Sequence, residues 1–175
     1  MKTVILNIKP ENCELIINNE KIIEVRKNKP KIELPFKCLI YCSNGYVPPT
    51  STVFSKGLKN KVIGEFICDK VITANYGNYA VLDLSQAALD SYDLLEYADE
   101  KTIYGWHVSN LIIYDKPKEL KDFYNPCYSG CSNCKYCSWD YAPCSSDKEL
   151  ICTVRNRKPL EKFPTNWGYF KGGVN

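Results

Sequence analysis

The sequence predicts an α+β domain: a strongly bent sheet or small barrel with short helices over its openings. Strand character recurs in short apolar segments, at Thr3 to Ile8, Phe36 to Cys42, Val62 to Val71 and Ile103 to Tyr114. The helical patterns between them are few and brief, and no strand–helix–strand rhythm repeats, which argues against a doubly wound parallel sheet. At 175 residues the chain is one domain, or one domain with a small appendage.

The elements follow in order. Thr3 to Ile8 reads as a strand. Pro10 suits the first turn of a helix, and Cys13, Ile16 and Ile17 give that helix one apolar face. Asn18-Asn19 can take the left-handed conformation that stops it. The next strand alternates, with Ile23 and Val25 on one face and Ile22, Glu24 and Arg26 on the other. Phe36 to Cys42 is apolar on both faces, as in a strand buried within a sheet. Asn44 to Lys61, with Gly45, Pro48 and Pro49, reads as loop.

Val62 to Val71 splits into Val62, Gly64, Phe66 and Cys68 against Ile63, Glu65, Ile67 and Asp69. Gly64 allows close approach of another backbone or of a ligand. Leu84 to Tyr97 reads as one or two helices with Ser85 as cap, and Lys118 to Tyr124 as a short helical turn. Ile103 to Tyr114 reads as one long strand, interrupted in polarity by His107, Ser109 and Asn110. Phe163 to Phe170 reads as a last strand returning to the sheet. The domain boundaries expected are 1–126 for the barrel, 127–158 for a Cys-rich lobe and 159–175 for the returning strand.

Charge bounds the function. Residues 1–70 hold 12 Lys/Arg against 7 Asp/Glu, residues 71–126 hold 4 against 9, and residues 127–175 hold 7 against 4. That is not the dense basic patch of a high-affinity DNA binder. No apolar run reaches the roughly 18 residues that cross a bilayer, and Val4-Ile5-Leu6 is too short for a signal peptide. A cytoplasmic protein without membrane contact, a monomer or weak dimer, is the expectation.

Cysteine is the unusual count: ten, six of them between 127 and 152. They run Cys127, Cys131, Cys134, Cys137, Cys144, Cys152. Two overlapping Cys-x2-Cys knuckles share Cys134, and each lets two thiolates reach one tetrahedral ion from a single turn. A structural Zn(2+) held by four of the six is expected, with Cys131 and Cys134 preferred, then Cys127, then Cys152 or Cys144. Cys13, Cys38, Cys42 and Cys68 sit in apolar patterns and read as small core residues.

The second constellation is Lys21, Glu24, Arg26 and Glu65. A lysine beside a carboxylate in a partly dry pocket can have its pKa lowered enough to act as a base, and the carboxylate can shuttle the proton. The same set can hydrogen-bond a nucleobase edge. Charged residues on a strand are more often its solvated face. His107, the only histidine, reads as a core or rim residue more than a catalyst. Trp106 and Trp167 could stack on a base but more often fill core.

Taken together, these segments resemble the ASCH domain, a branch of the PUA-like superfamily. Asn19-Glu20-Lys21-Ile22-Ile23-Glu24-Val25-Arg26 is similar to that family's Gly-x-Lys-x-x-Glu-x-Arg signature, with Asn19 in the glycine position. Lys37 to Ser43 and Val62 to Phe66 resemble its second and third strands. Residues 104–117 look like a subgroup of bacterial genomes and prophages that carries a Cys-rich insert and a closing Pro-x-x-Trp, here Pro164 to Trp167.

The resemblance implies a PUA-like mixed β-barrel of five to six strands with a cleft that binds RNA or a modified nucleoside. Lys21, Glu24, Arg26 and Glu65 would line that cleft, with His107 and Ser109 as further ligand contacts. One branch of the family hydrolyses the acetyl amide of acetylated cytidine, and another is linked to RNA cleavage. Lys21 and Glu65 match that hydrolase's lysine and glutamate, as base and acid/base, while Glu24 stands where it has threonine. A zinc-stabilised protein-interaction adaptor is the third expectation.

Overall fold

The computed structural model describes residues 1–126, 157–159 and 167–170. The chain begins with β1 (Thr3–Ile8), α1 (Pro10–Ile17), β2 (Ile23–Arg26) and β3 (Phe36–Cys42). Then come α2 (Thr52–Ser55), β4 (Lys61–Cys68), β5 (Val71–Ala74), α3 (Leu84–Ala87) and α4 (Ser91–Ala98). The remainder is β6 (Ile103–His107), β7 (Ser109–Glu119), β8 (Tyr124–Pro126), β9 (Arg157–Pro159) and β10 (Trp167–Phe170). One sheet has the order β10-β1-β3-β4-β7 and a second the order β2-β6-β5, while β8 and β9 form a separate ribbon. The larger sheet is mixed: β1 and β3 are parallel and its other pairs antiparallel. The expected returning strand begins at Trp167 and pairs with β1.

Two runs of chain that read as single strands are each broken, and the breaks make the architecture. Val62 to Val71 divides at Asp69-Lys70 into β4 of the larger sheet and β5 of the smaller. Ile103 to Tyr114 divides at Val108 into β6 of the smaller sheet and β7 of the larger. Strands that change sheet at a bend are how two sheets close over one core. His107 Nδ1 lies 2.7 Å from Asp69 Oδ1, and Ser109 donates to the Ile67 carbonyl at 2.8 Å. His107 and Ser109, polar residues inside the long apolar run, therefore fasten the corner.

Alternation sorts the core. Val4, Leu6 and Ile8 of β1, Cys38, Ile40 and Cys42 of β3, and Phe66 and Cys68 of β4 face inward with Cys13 and Ile16 of α1. Trp106 fills the centre of this core, edge-on to Phe36 with ring centroids 5.4 Å apart. Cys13, Cys38, Cys42 and Cys68 are all fully buried free thiols, as their apolar patterns predict. A second cluster joins Ile23, Val25 and Ile103 to Leu94 and Ala98 of α4. A third, with Ile5, Leu39, Val62 and Phe123, covers the other face of the larger sheet.

Some local details differ from the sequence reading. A bulge in β4 near Ile63 puts Val62 in the outer cluster and Ile63 in the main core, reversing the assigned faces. Asp83, not Ser85, caps α3: its carboxylate accepts from the amides of Ser85 and Gln86. The loop after β3 contains α2, capped by Ser51, and Glu14 of α1 holds it by accepting from the Ser51 hydroxyl at 2.6 Å and the Thr52 amide at 2.8 Å. β7 runs on to Glu119, and only Leu120–Asp122 is helical, as a single 3-10 turn.

Candidate functional site

Helix α1 stops where Asn19 takes φ 60°, and the amides of Glu20 and Lys21 turn back to the Leu15 carbonyl. This tight stop swings Lys21 inward instead of into solvent. β2 then follows at once and pairs with β6, with Glu24 opposite Trp106 and Arg26 opposite Tyr104. Its alternation sends Ile23 and Val25 into the second apolar cluster. Glu24 and Arg26 point the other way, as the sequence predicts.

These three charged side chains converge and are buried: Lys21 is 2% exposed, Glu24 5% and Arg26 6%. Buried charges are kept only when paired. Arg26 Nη2 lies 2.9 Å from Glu24 Oε1 and donates to the Asn7 carbonyl at 2.7 Å. The Lys21 ammonium donates to the Ala87 carbonyl and lies 3.8 Å from Glu24 Oε2. Glu24 Oε2 accepts no hydrogen bond from any described residue. Burial lowers the pKa of Lys21, while the Glu24 charge works the other way and Arg26 adds to the lowering.

The group lines a cleft of about 690 Å³ between the end of β1, helix α1, β2 and helix α4. Its walls carry Lys9, Lys21, Arg26 and Lys27 against Glu11, Glu24, Asp93 and Glu96, so the signs balance. Tyr97 closes one side, with the Lys27 ammonium 5.2 Å from its ring centre. The sequence reading missed Tyr97, Asp93 and Glu96. The signal was present: on one helix, Asp93, Glu96 and Tyr97 follow three- and four-residue spacing, which aligns side chains on one face.

Glu65 does not join them, so the expected meeting of Lys21 and Glu65 in one cleft does not occur. In β4 it lies opposite Leu39, on the face carrying the third apolar cluster. Its carboxylate takes Lys37 at 2.5 Å and the Tyr114 hydroxyl at 2.7 Å, and it is absent from the cleft lining. Burial opposes its ionisation, but the bonds from Lys37 and Tyr114 and the charges of Lys37 and Lys118 prevail and lower its pKa. His107 and Ser109 are likewise outside the cleft, engaged at the sheet-changing corner with Asp69 and Ile67. Arg26, Glu24 and Lys21 are thus the members of the expected set that meet.

The six clustered cysteines, Cys127 to Cys152, lie outside the described residues. Among the described residues, no group of three or more His, Cys, Asp or Glu could hold a metal ion, and no helix is long and apolar enough to cross a membrane.

No protein-family model matches the chain, and no curated protein sequence matches it. Solved structures do. A serine-to-alanine mutant of the ASCH protein from Zymomonas mobilis superposes with a TM-score of 0.58 at 13% identity, covering 97% of this chain and 89% of that one. A tyrosine-to-phenylalanine mutant of the same protein gives 0.53 at 16% identity, over 69% and 77% of the two chains. The ASCH protein without those substitutions gives 0.50 at 17%, over 68% and 74%. At these identities the likeness establishes the fold alone: an α+β architecture like that of the ASCH protein structures.

Proposed function

We propose that the cleft binds a base of RNA or a modified nucleoside, with Lys21, Glu24 and Arg26 reading its edge. The observation that carries this is Glu24 Oε2: a buried acceptor without a hydrogen bond among the described residues, 3.8 Å from the Lys21 ammonium. An acceptor beside a donor is the pattern that meets a base edge, which offers N–H groups next to ring nitrogens or carbonyls. The cleft volume is in the range of small-ligand sites. The balanced walls suit an uncharged base better than a run of phosphates, which would call for net positive charge. Titration of the labelled protein with nucleosides and short RNAs, followed by amide chemical shifts, tests the reading. Shifts confined to β2, α1 and α4 and lost in Lys21→Ala support it; no shift with any of these probes removes it.

A second reading makes the site hydrolytic. It is favoured by the lowered pKa of Lys21 next to a buried carboxylate. Lys21 would then take a proton from the water that attacks the acyl amide of a modified nucleoside, and Glu24, not Glu65, would pass that proton to the departing nucleoside amine as the C–N bond breaks. Release of acetate from acetylated cytidine, lost in Glu24→Gln and retained in Glu65→Gln, distinguishes it from binding alone. We further propose membership of the prophage-type subgroup and a cytoplasmic monomer or weak dimer. A structural zinc on four of Cys127, Cys131, Cys134, Cys137, Cys144 and Cys152 completes the proposal.

A further inference from the structure

We infer that the cleft continues into a second subsite, in which Tyr46 stacks on the base next to the one held by Lys21 and Glu24. The inference rests on the reading of the cleft above and extends it from one base to a strand of at least two nucleotides.

A second hollow of about 630 Å³ lies beside the first, and Lys9 and Glu11 line both. Its far wall is the loop after β3, with Ser43, Asn44 and Tyr46. Tyr46 is 84% exposed. A single exposed aromatic is ordinary on a protein surface. This one differs in how it is held. Lys59 donates to the Gly45 carbonyl at 3.0 Å. A Cβ on Gly45 would lie 2.9 Å from Pro10 Cδ, so the loop backbone rests directly on the first turn of α1. On the other side Val47 is 6% exposed and belongs to the main core. The ring is thus displayed between two anchored neighbours on the wall of the second hollow.

An exposed aromatic face carried on an anchored backbone, in a hollow adjoining a base-sized cleft, is a stacking platform. Stacking needs no particular base, because every base has a π-face. It also needs no phosphate contact, which agrees with the balanced charge of the adjoining walls. Base identity would be read in the first hollow, and the flanking base would add affinity without selectivity.

The test uses the full chain and compares binding of the four ribonucleoside monophosphates with that of RNA dinucleotides and single-stranded RNA hexamers. The proteins compared are wild type, Tyr46→Phe, Tyr46→Ala and Lys21→Ala. Dinucleotides are expected to bind wild type and Tyr46→Phe more tightly than monophosphates do. Tyr46→Ala is expected to weaken dinucleotide binding about 5- to 100-fold, while monophosphate affinity stays unchanged. Unchanged dinucleotide affinity in Tyr46→Ala, with binding still lost in Lys21→Ala, overturns the second subsite and leaves the cleft reading standing. Unaltered binding in Lys21→Ala, or no binding of any probe, overturns both. Tyr46 is exposed, so its substitution does not disturb the core.

Discussion

Glu24→Gln is the perturbation that isolates the buried charge cluster. The side chains of Glu24 and Arg26 are 6% and 8% exposed, and their charged atoms are 2.9 Å apart. At an effective dielectric constant of about 20, that contact corresponds to a gross attraction of roughly 5–6 kcal/mol, and the Lys21 contact to about 4 kcal/mol. Most of this offsets the cost of removing the charges from water. Gln keeps the shape and one hydrogen bond to Arg26 but removes the anion. Two buried cations are then left facing each other. Breaking a buried pair from one side costs about 3–5 kcal/mol. For a domain of this size that lowers Tm by about 6–20 °C. Urea unfolding of the two proteins, with equal slopes, gives the difference directly. A loss below about 1 kcal/mol would refute the reasoning, because it would mean that Glu24 is solvated and the cluster is not a buried one.

Other outcomes follow from the same geometry. A Cβ at Gly64 would stand 2.4 Å from the Ile112 carbonyl oxygen, so Gly64→Ala should cost about 1–3 kcal/mol, seen as a lower urea midpoint. Glu65 has a folded pKa below 4.5, so its stabilisation is present above that value and is lost as pH falls through the lowered one. The stability gap between wild type and Glu65→Gln should therefore shrink as pH falls from 4.5 through the lowered pKa. Lys21 has a folded pKa below 10.5, so the unfolded chain binds the proton more readily there. Wild type should gain stability relative to Lys21→Met as pH rises from the lowered value towards 10.5, measured by thermal unfolding. Metal analysis should find one zinc per chain, lost when Cys131 and Cys134 are both changed to Ser.

What the sequence revealed depended on how local the determinant was. The Lys21–Arg26 stretch was legible because a turn residue and simple alternation decide it: Asn19 takes φ 60° and β2 keeps one parity through four residues. Glu65 was not. Its neighbours in sequence cannot say that Lys37 of β3 and Tyr114 of β7 flank it, since that depends on sheet order. His107 and Ser109 misled for a related reason. Polar residues in an apolar strand can mark a site or a bend, and only the pairing of β6 and β7 with different sheets decides between them. Fold class was legible because it needs only the length and spacing of apolar runs. The broken strands were not, because Val108 is itself apolar and nothing local marks the bend.

Arg26 belongs to the smaller sheet, yet the carbonyl it grips belongs to Asn7 in the larger one. Glu24 steadies that guanidinium from behind. The residues proposed to recognise a ligand are therefore also a clasp between the two halves of the molecule. An occupant that draws on Glu24 changes the tension in the clasp, so amide protons along β1 and β2 should exchange with solvent at altered rates even where nothing touches them.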